Sequence, residues 1–283
     1  MPTLSGLTLY PIKSCAGIAL TQAEVTAFGL EYAGVRDREW MVVDTEGNLL
    51  TQRELPAMAL IVPRIAGDAL ELSAPGLPLL QLPIASSTLA HAATLDVRVW
   101  DDVVSAWDCG SEAAEWFSRA TGTACRLVRF HSAARRLASS KWTGEHEVPT
   151  LFSDGFPMLV ISEASLADLN QRLAAQGRAA LPMNRFRPNV VIAGIEAFEE
   201  DYAAAIRIGE ACLKPVKPCA RCPMPSIDQE TGRFGPDPLD ILQTYRANPL
   251  VDGGITFGMN AILVEGEHSV LRVGQDAVVE IAF

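Results

Sequence analysis

The sequence predicts an α+β chain that is predominantly β, with a small barrel or sandwich at its N-terminal end and a few helices. Three observations carry this. Short polar–apolar alternating segments recur through residues 4–110, separated by turn signals such as Thr45-Glu-Gly-Asn48 and Ala66-Gly-Asp68. Helical periodicity is confined to a few stretches, the best being Gly110–Gly122 and Glu163–Ala174. Finally, 283 residues with 49% apolar and 20% charged side chains can fill one large or two ordinary cores.

Taken in order, Leu4–Tyr10 and Ala19–Leu30 each read as one strand. Glu39–Val43 and Leu49–Gln52 flank the first hairpin loop; Ala59–Ile65 and Leu70–Ser73 flank the second. Leu79–Leu82 follows Pro78, which suits a strand start or a sheet edge. Val97–Trp100 and Val103–Trp107 are joined at Asp101-Asp102. Gly110–Gly122 places Ala113, Trp116, Phe117 and Ala120 on one helical face and stops at Gly122. Cys125–Phe130 is a strand. The polar stretch Ser132–Pro149 reads as a mobile excursion, and the domain boundary falls near it. Pro157–Ile161 leads to Ser162, an N-cap for the helix Glu163–Ala174 with its Leu166, Leu169 and Leu173 stripe. Strands at Val190–Ala193, Ala204–Ile208 and Ala211–Val216 follow, then a turn at Gln229–Gly232 and a short helix at Leu239–Tyr245. Asn260–Val264 and Val270–Ile281, broken at Gly274, close the chain.

The formal charge of −11 argues against nucleic-acid binding, which needs a basic face. No run of eighteen apolar residues and no secretory signal is present, so no membrane span is expected. Six cysteines, at 15, 109, 125, 212, 219 and 222, do not form a disulfide-scaffold pattern, and a reducing cytoplasm fits them best. In so acidic a chain, local clusters of cations are informative. Of only four lysines, Lys13, Lys214 and Lys217 sit in two short motifs.

The densest motif is Lys214-Pro-Val-Lys-Pro-Cys-Ala-Arg-Cys222, followed by Pro223. Its prolines bar a regular helix, and Lys214, Lys217 and Arg221 would favour thiolate at Cys219 or Cys222. Three chemistries are open. Zinc needs four ligands, and no second Cys or His pair is spaced to complete such a set. A dithiol redox pair belongs at a helix start, which Pro223 and Pro225 disfavour. A single thiolate on a redox metal, with cations holding an anionic cofactor, is the third. Further basic groups occur at Tyr10-Pro-Ile-Lys-Ser-Cys-Ala-Gly17, at Arg36-Asp-Arg38 and at Arg185-Phe-Arg187-Pro-Asn189. The first resembles a phosphate cradle, and arginine forks grip phosphate bidentately. Each alone reads equally as a surface loop or ion-pair cluster; together they suggest a phosphate-bearing, metal-containing ligand.

The ordered motifs YPIKSCAG, RDREWMVVD, FSDGFPMLVISEASLADLN, RFRPNVVIAG and CARCP resemble the MOSC family, most closely its two-domain, amidoxime-reducing branch. That resemblance implies an N-terminal β-barrel domain over residues 1–125 and a C-terminal MOSC β-barrel domain over residues 126–283, with the cysteine loop at 217–223. It also implies a molybdenum cofactor, the molybdenum bound by Cys222, with Cys219 a neighbour in the loop. Lys13, Ser14, Arg36, Arg38, Asp154, Arg187 and Asn189 would serve as cofactor-binding residues. The implied activity is reduction of a small N-hydroxylated or N-oxygenated substrate, with electrons from a separate ferredoxin- or cytochrome-type protein. Other MOSC domains imply an alternative, a sulfur carrier with a persulfide on Cys222. One departure stands out: Asp154-Gly-Phe-Pro157 replaces a hydroxyl-bearing D-T-S-P segment, so contacts there are expected from backbone groups.

Overall fold

The computed structural model describes residues 1–89 and 91–282; Ala90, and Phe283 at the end of the expected second domain, lie outside the described residues. The largest sheet runs Ile18–Leu20, Thr3–Leu9, Val190–Ala193, Met158–Ser162, Gly254–Glu265, Ala211–Ala220, Ala203–Ile208, Ala277–Ile281. It curls back on itself. Leu4 N donates to Gln275 O at 2.9 Å and Ala277 N to Pro2 O at 2.9 Å, so the last strand's approach is bonded to the first strand. Closure of this kind removes exposed strand edges. Three smaller antiparallel sheets lie beside it, built from residues 94–130 with Trp40–Val43, from residues 22–36 with Val270–Arg272, and from residues 62–83.

Strands from both sides of residue 125 share this framework. Thr3–Leu9 pairs with Val190–Ala193, and Val270–Arg272 pairs with Gln22–Thr26. The main hydrophobic cluster likewise unites Leu4, Ile12, Trp40 and Phe117 with Val160, Val190, Ile206 and Leu213. Among the described strands, pairing is antiparallel except between Met158–Ser162 and Val190–Ala193, which run parallel across the helix Glu163–Ala175. Ser162 caps that helix, its Oγ accepting from Ser165 N at 3.0 Å.

Several expected elements differ. Ala19–Leu30 is not one strand: it breaks into Ile18–Leu20, Gln22–Thr26 and the start of Gly29–Tyr32. The break needs Gly29, whose φ is +102° and whose position would set a Cβ 2.6 Å from Pro157 O. Leu49–Gln52 keeps only a single bridge, Val43 to Leu49, because Thr51 and Glu54 close a turn. The first half of Ala59–Ile65 is a 3₁₀ turn opened by Pro56, and the strand begins at Val62. The helix expected over Leu239–Tyr245 is regular only to Leu242. Most consequential, the strand Ala211–Ala220 runs through Pro215, Pro218 and Cys219. Register shifts at Pro215/Lys217 and Pro218/Ala220 accommodate prolines that have no N–H for the ladder. Ser132–Pro149 is ordered by Ala138 N bonding to Val148 O at 2.9 Å and Thr150 N to Arg136 O at 2.9 Å, and its Ala138, Trp142 and Val148 pack against Val216 and Ile262 of the barrel. Among the described residues, no helix is long and apolar enough to cross a membrane.

Candidate functional site

The cysteine strand, the turn after the first strand and the segment 153–156 face one another across a cleft of about 420 Å³. Lys13, Ser14, Arg38, Asp154, Arg187, Asn189, Cys219 and Cys222 all line it. Lys214 does not; it points away on the strand, whereas Lys217 reaches the cleft, its Nζ 5.4 Å from the Trp142 ring. Arg36 is also excluded. It stands on the short strand Val35–Arg36, pairs with Glu31 at 2.9 Å and covers the Phe28 ring. The strand ends with Arg36 facing outward and the chain then turns at Arg38, φ +51°, so Arg36 stands outside this cleft.

The turn Pro11–Cys15 is set by Lys13 N donating to Trp40 O at 2.8 Å and by Ser14 in the left-handed region, φ +66°. Ser14, Arg38, Trp100 and Arg187 are all non-glycine residues with positive φ, and all line the cleft. Such conformations cost about 1–3 kcal/mol each and concentrate where geometry serves a site. Lys13 is buried, and its Nζ donates to Phe152 O at 2.8 Å and Asp154 Oδ1 at 2.5 Å. Burial lowers the Lys13 pKa, with Asp154 opposing. At Asp154, a mostly exposed carboxylate, what desolvation there is gives way to Lys13, Arg38 and the Trp100 Nε1–H bond, which hold the carboxyl well below its usual range. The Asp154 side chain remains 75% exposed at the mouth.

Deeper in, Arg38 and Arg187 both stack on the Tyr10 ring, at 4.3 and 4.2 Å from its centroid. Arg38 donates to Asn189 Oδ1 at 3.0 Å and pairs with the buried Asp37, whose pKa is pushed up by burial despite that partner. Asn189 is saturated by the protein. Its Nδ2 donates to Thr8 O and Asp37 Oδ1, while its Oδ1 accepts from Arg38 and Leu159 N. Asn189 therefore braces the cleft floor. Arg187 is different: its Nη2 is buried without a partner, and burial lowers its pKa. Arg185 is turned aside, bonded to Asp228 and Pro225 O behind the cysteines.

Cys219 and Cys222 are half-buried free thiols. Arg221 lies between them in sequence, donating through Nη1 to Cys219 Sγ at 3.1 Å and through Nη2 to Phe186 O at 2.9 Å; its Nε is buried and unpartnered. Two soft sulfur donors thus share a cleft with two guanidinium nitrogens that lack partners, Arg187 Nη2 and Arg221 Nε. That donor set suits a soft metal and an anionic, hydrogen-bonding ligand.

Arg136 belongs to the site as well, although nothing in its sequence neighbourhood marks it. It is buried, donating to Asp102 at 2.7 Å, Thr150 Oγ1 at 3.3 Å and the carbonyls of Leu151, Ser153 and Asp154 at 3.0, 2.7 and 3.2 Å. It holds the wall that carries Asp154 and receives Lys13. Trp100 and Arg53, 4.5 Å apart from guanidinium to ring centroid, form the mouth. The sequence ends a strand at Trp100 and puts the turn at Asp101-Asp102, but pairing of Val99 with Asp102 moves the turn to Trp100-Asp101 and brings the indole to the hairpin tip.

Comparison with known proteins gives two domain matches, the MOSC N-terminal beta barrel domain over residues 1–124 and the MOSC domain over residues 147–278. The chain belongs to the MOSC family. Lys13, Ser14, Arg38 and Trp100 come from the first matched segment, and Asp154, Arg187, Lys217 and both cysteines from the second, so the cleft is built jointly. Arg136 lies between the two matches. Similar MOSC proteins include mitochondrial amidoxime-reducing component 1 of Mus musculus, 40% identical over 248 residues (86% of this chain, 71% of that protein). Mitochondrial amidoxime reducing component 2 of Bos taurus is 38% identical over 250 residues (86% and 72%), and component 1 of Homo sapiens 38% over 256 residues (86% and 72%).

Proposed function

We propose that this MOSC protein is a molybdenum-cofactor-dependent reductase of N-hydroxylated compounds. The observation that carries the reading is the convergence of two free thiols and the unpartnered nitrogens of Arg187 and Arg221 on one cleft. The names of relatives that align over 71–72% of their lengths support the same activity.

The residues fit the implied group. Cys222 is the molybdenum ligand, with Cys219 held beside it by Arg221. Lys13, Ser14, Arg38 and Arg187 bind the phosphate and pterin, while Asn189 keeps Arg38 in place. Buried cations with open N–H groups gain most from a bound anion, because each unpaired N–H otherwise costs about 1–3 kcal/mol. When bound, the cofactor supplies two-electron chemistry at the N–O bond. For an amidoxime the balance is R–C(NH₂)=N–OH + 2e⁻ + 2H⁺ → R–C(NH₂)=NH + H₂O. The electrons come from a separate ferredoxin- or cytochrome-type protein. The chain's own part is to hold the cofactor and orient the substrate; Asp154, kept ionised by Lys13, presents an acceptor at the mouth for the substrate's N–H or O–H.

The test is metal and pterin analysis of protein made in a host that synthesises the cofactor, wild type beside Cys222→Ala. Near-stoichiometric molybdenum and pterin in the wild type, with amidoxime reduction abolished in the variant, is the expected result. A persulfide on Cys222 without molybdenum would overturn it.

A further inference from the structure

Trp100 occupies a place where folding does not call for an indole. The strands Thr94–Val99 and Asp102–Asp108 pair Val99 with Asp102, leaving Trp100-Asp101 as a two-residue hairpin turn. Such turns need positive φ and favour Asn or Gly; a bulky residue there is an outlier. Trp100 nevertheless has φ +57°, and it remains 40% exposed. Core burial does not account for it. The tip is instead strapped to the cleft on both sides. Trp100 Nε1 donates to Asp154 Oδ1 at 3.2 Å, and Asp102 accepts from Arg136 at 2.7 Å. Arg53 lies 4.5 Å and Lys13 Nζ 5.6 Å from the ring centroid.

We infer that Trp100 is a specificity-determining residue, a flat platform at the cleft mouth that selects N-hydroxylated substrates carrying a planar aromatic or heteroaromatic ring. The inference rests on the reductase reading above and names its substrate class. Arg53 lies over part of the indole, and the 40% of Trp100 that stays exposed offers offset stacking, with the Arg53 guanidinium plane adding a surface that also attracts π-faces. The ring sits at the mouth, so stacking there orients the N–OH group inward without occupying the thiol end of the cleft.

The experiment compares benzamidoxime with acetamidoxime, which share the reacting group and differ in the ring, on cofactor-loaded wild type, Trp100→Phe and Trp100→Gly. The wild type should prefer benzamidoxime, and Trp100→Gly should lower the ratio of kcat/KM values about tenfold, chiefly through KM. Trp100→Phe should keep most of the ratio. Thermal unfolding guards against misfolding, since glycine relieves the left-handed strain and should leave the Trp100→Gly midpoint no lower than the wild type. An unchanged ratio in Trp100→Gly overturns the proposal; so does an equal loss in Trp100→Phe, which would assign the effect to the Nε1–Asp154 bond. If the wild type reduces neither amidoxime, the reductase reading fails, and direct binding of benzamidoxime decides the rest. Weaker binding to Trp100→Gly than to wild type upholds the platform, and equal or absent binding refutes it.

Discussion

Replacing Arg136 by alanine tests how the cleft wall is held. The substitution strands the carbonyls of Leu151 and Ser153 in buried surroundings, frees Thr150 Oγ1, and leaves Asp102 without its cation. Each buried carbonyl left unpaired costs about 1–3 kcal/mol. Asp102 is half exposed and is largely resolvated, so it adds little. The total is about 2–6 kcal/mol, which for 283 residues unfolding together lowers the midpoint by about 3–10 °C. Differential scanning calorimetry of Arg136→Ala beside Arg135→Ala reads this directly. Arg135 is an exposed neighbour paired with Glu147, and its loss should move the midpoint by about a degree or less. Hydrogen exchange should accelerate selectively over residues 150–157, and Arg136→Lys should recover only part of the loss, because one ammonium cannot reach acceptors arranged around a planar fork. Equal midpoints for the two alanine variants would refute the assignment of Arg136 as the brace.

Arg187→Met should leave the unfolding free energy of the cofactor-free protein within about 1 kcal/mol, since the lost Tyr10 stacking is offset by removing an unpaired buried N–H. Pterin retention during dialysis should fall at least severalfold; a large stability loss with full retention would contradict this. Burial pushes the Cys15 thiol up to about 12, so the folded state keeps a proton that the unfolded chain loses near its ordinary value. Its contribution to stability is therefore complete below about pH 8.5 and is lost as pH rises toward 12, with a slope approaching about 1.4 kcal/mol per unit. Cys15→Ala should show a shallower alkaline decline in chemical denaturation, and an identical slope would sink the idea. Gly29→Ala places a Cβ against Pro157 O at a φ that alanine resists, and should cost roughly 2 kcal/mol or more in urea unfolding.

Local chemistry was legible wherever it is local. Gly122 and Ser162 end and start helices through backbone geometry that a few neighbouring residues dictate. The stiff motifs around Lys13, Arg187 and Cys219–Cys222 announced cations and thiols because prolines and charge stand out within short windows of an acidic chain. Their meeting in one cleft could be anticipated only through resemblance, since no spacing rule links residue 13 to residue 222. Tertiary packing settled the remainder. Arg36 and Arg38 belong to the same short motif, yet the strand ends at Arg36 and the chain turns through the positive φ of Arg38, sending one to Glu31 and the other to Tyr10 and Asn189. Nothing local separates Arg135 from Arg136; the partner that distinguishes them, Asp102, lies 34 residues earlier in the chain. The prolines of the cysteine motif suggest a loop, but pairing with Gly254–Glu265 draws the segment into a bulged strand whose hydrogen bonds come from across the sheet. Short-range sterics and charge are written in neighbouring residues, whereas burial and pairing depend on what the closed barrel brings alongside.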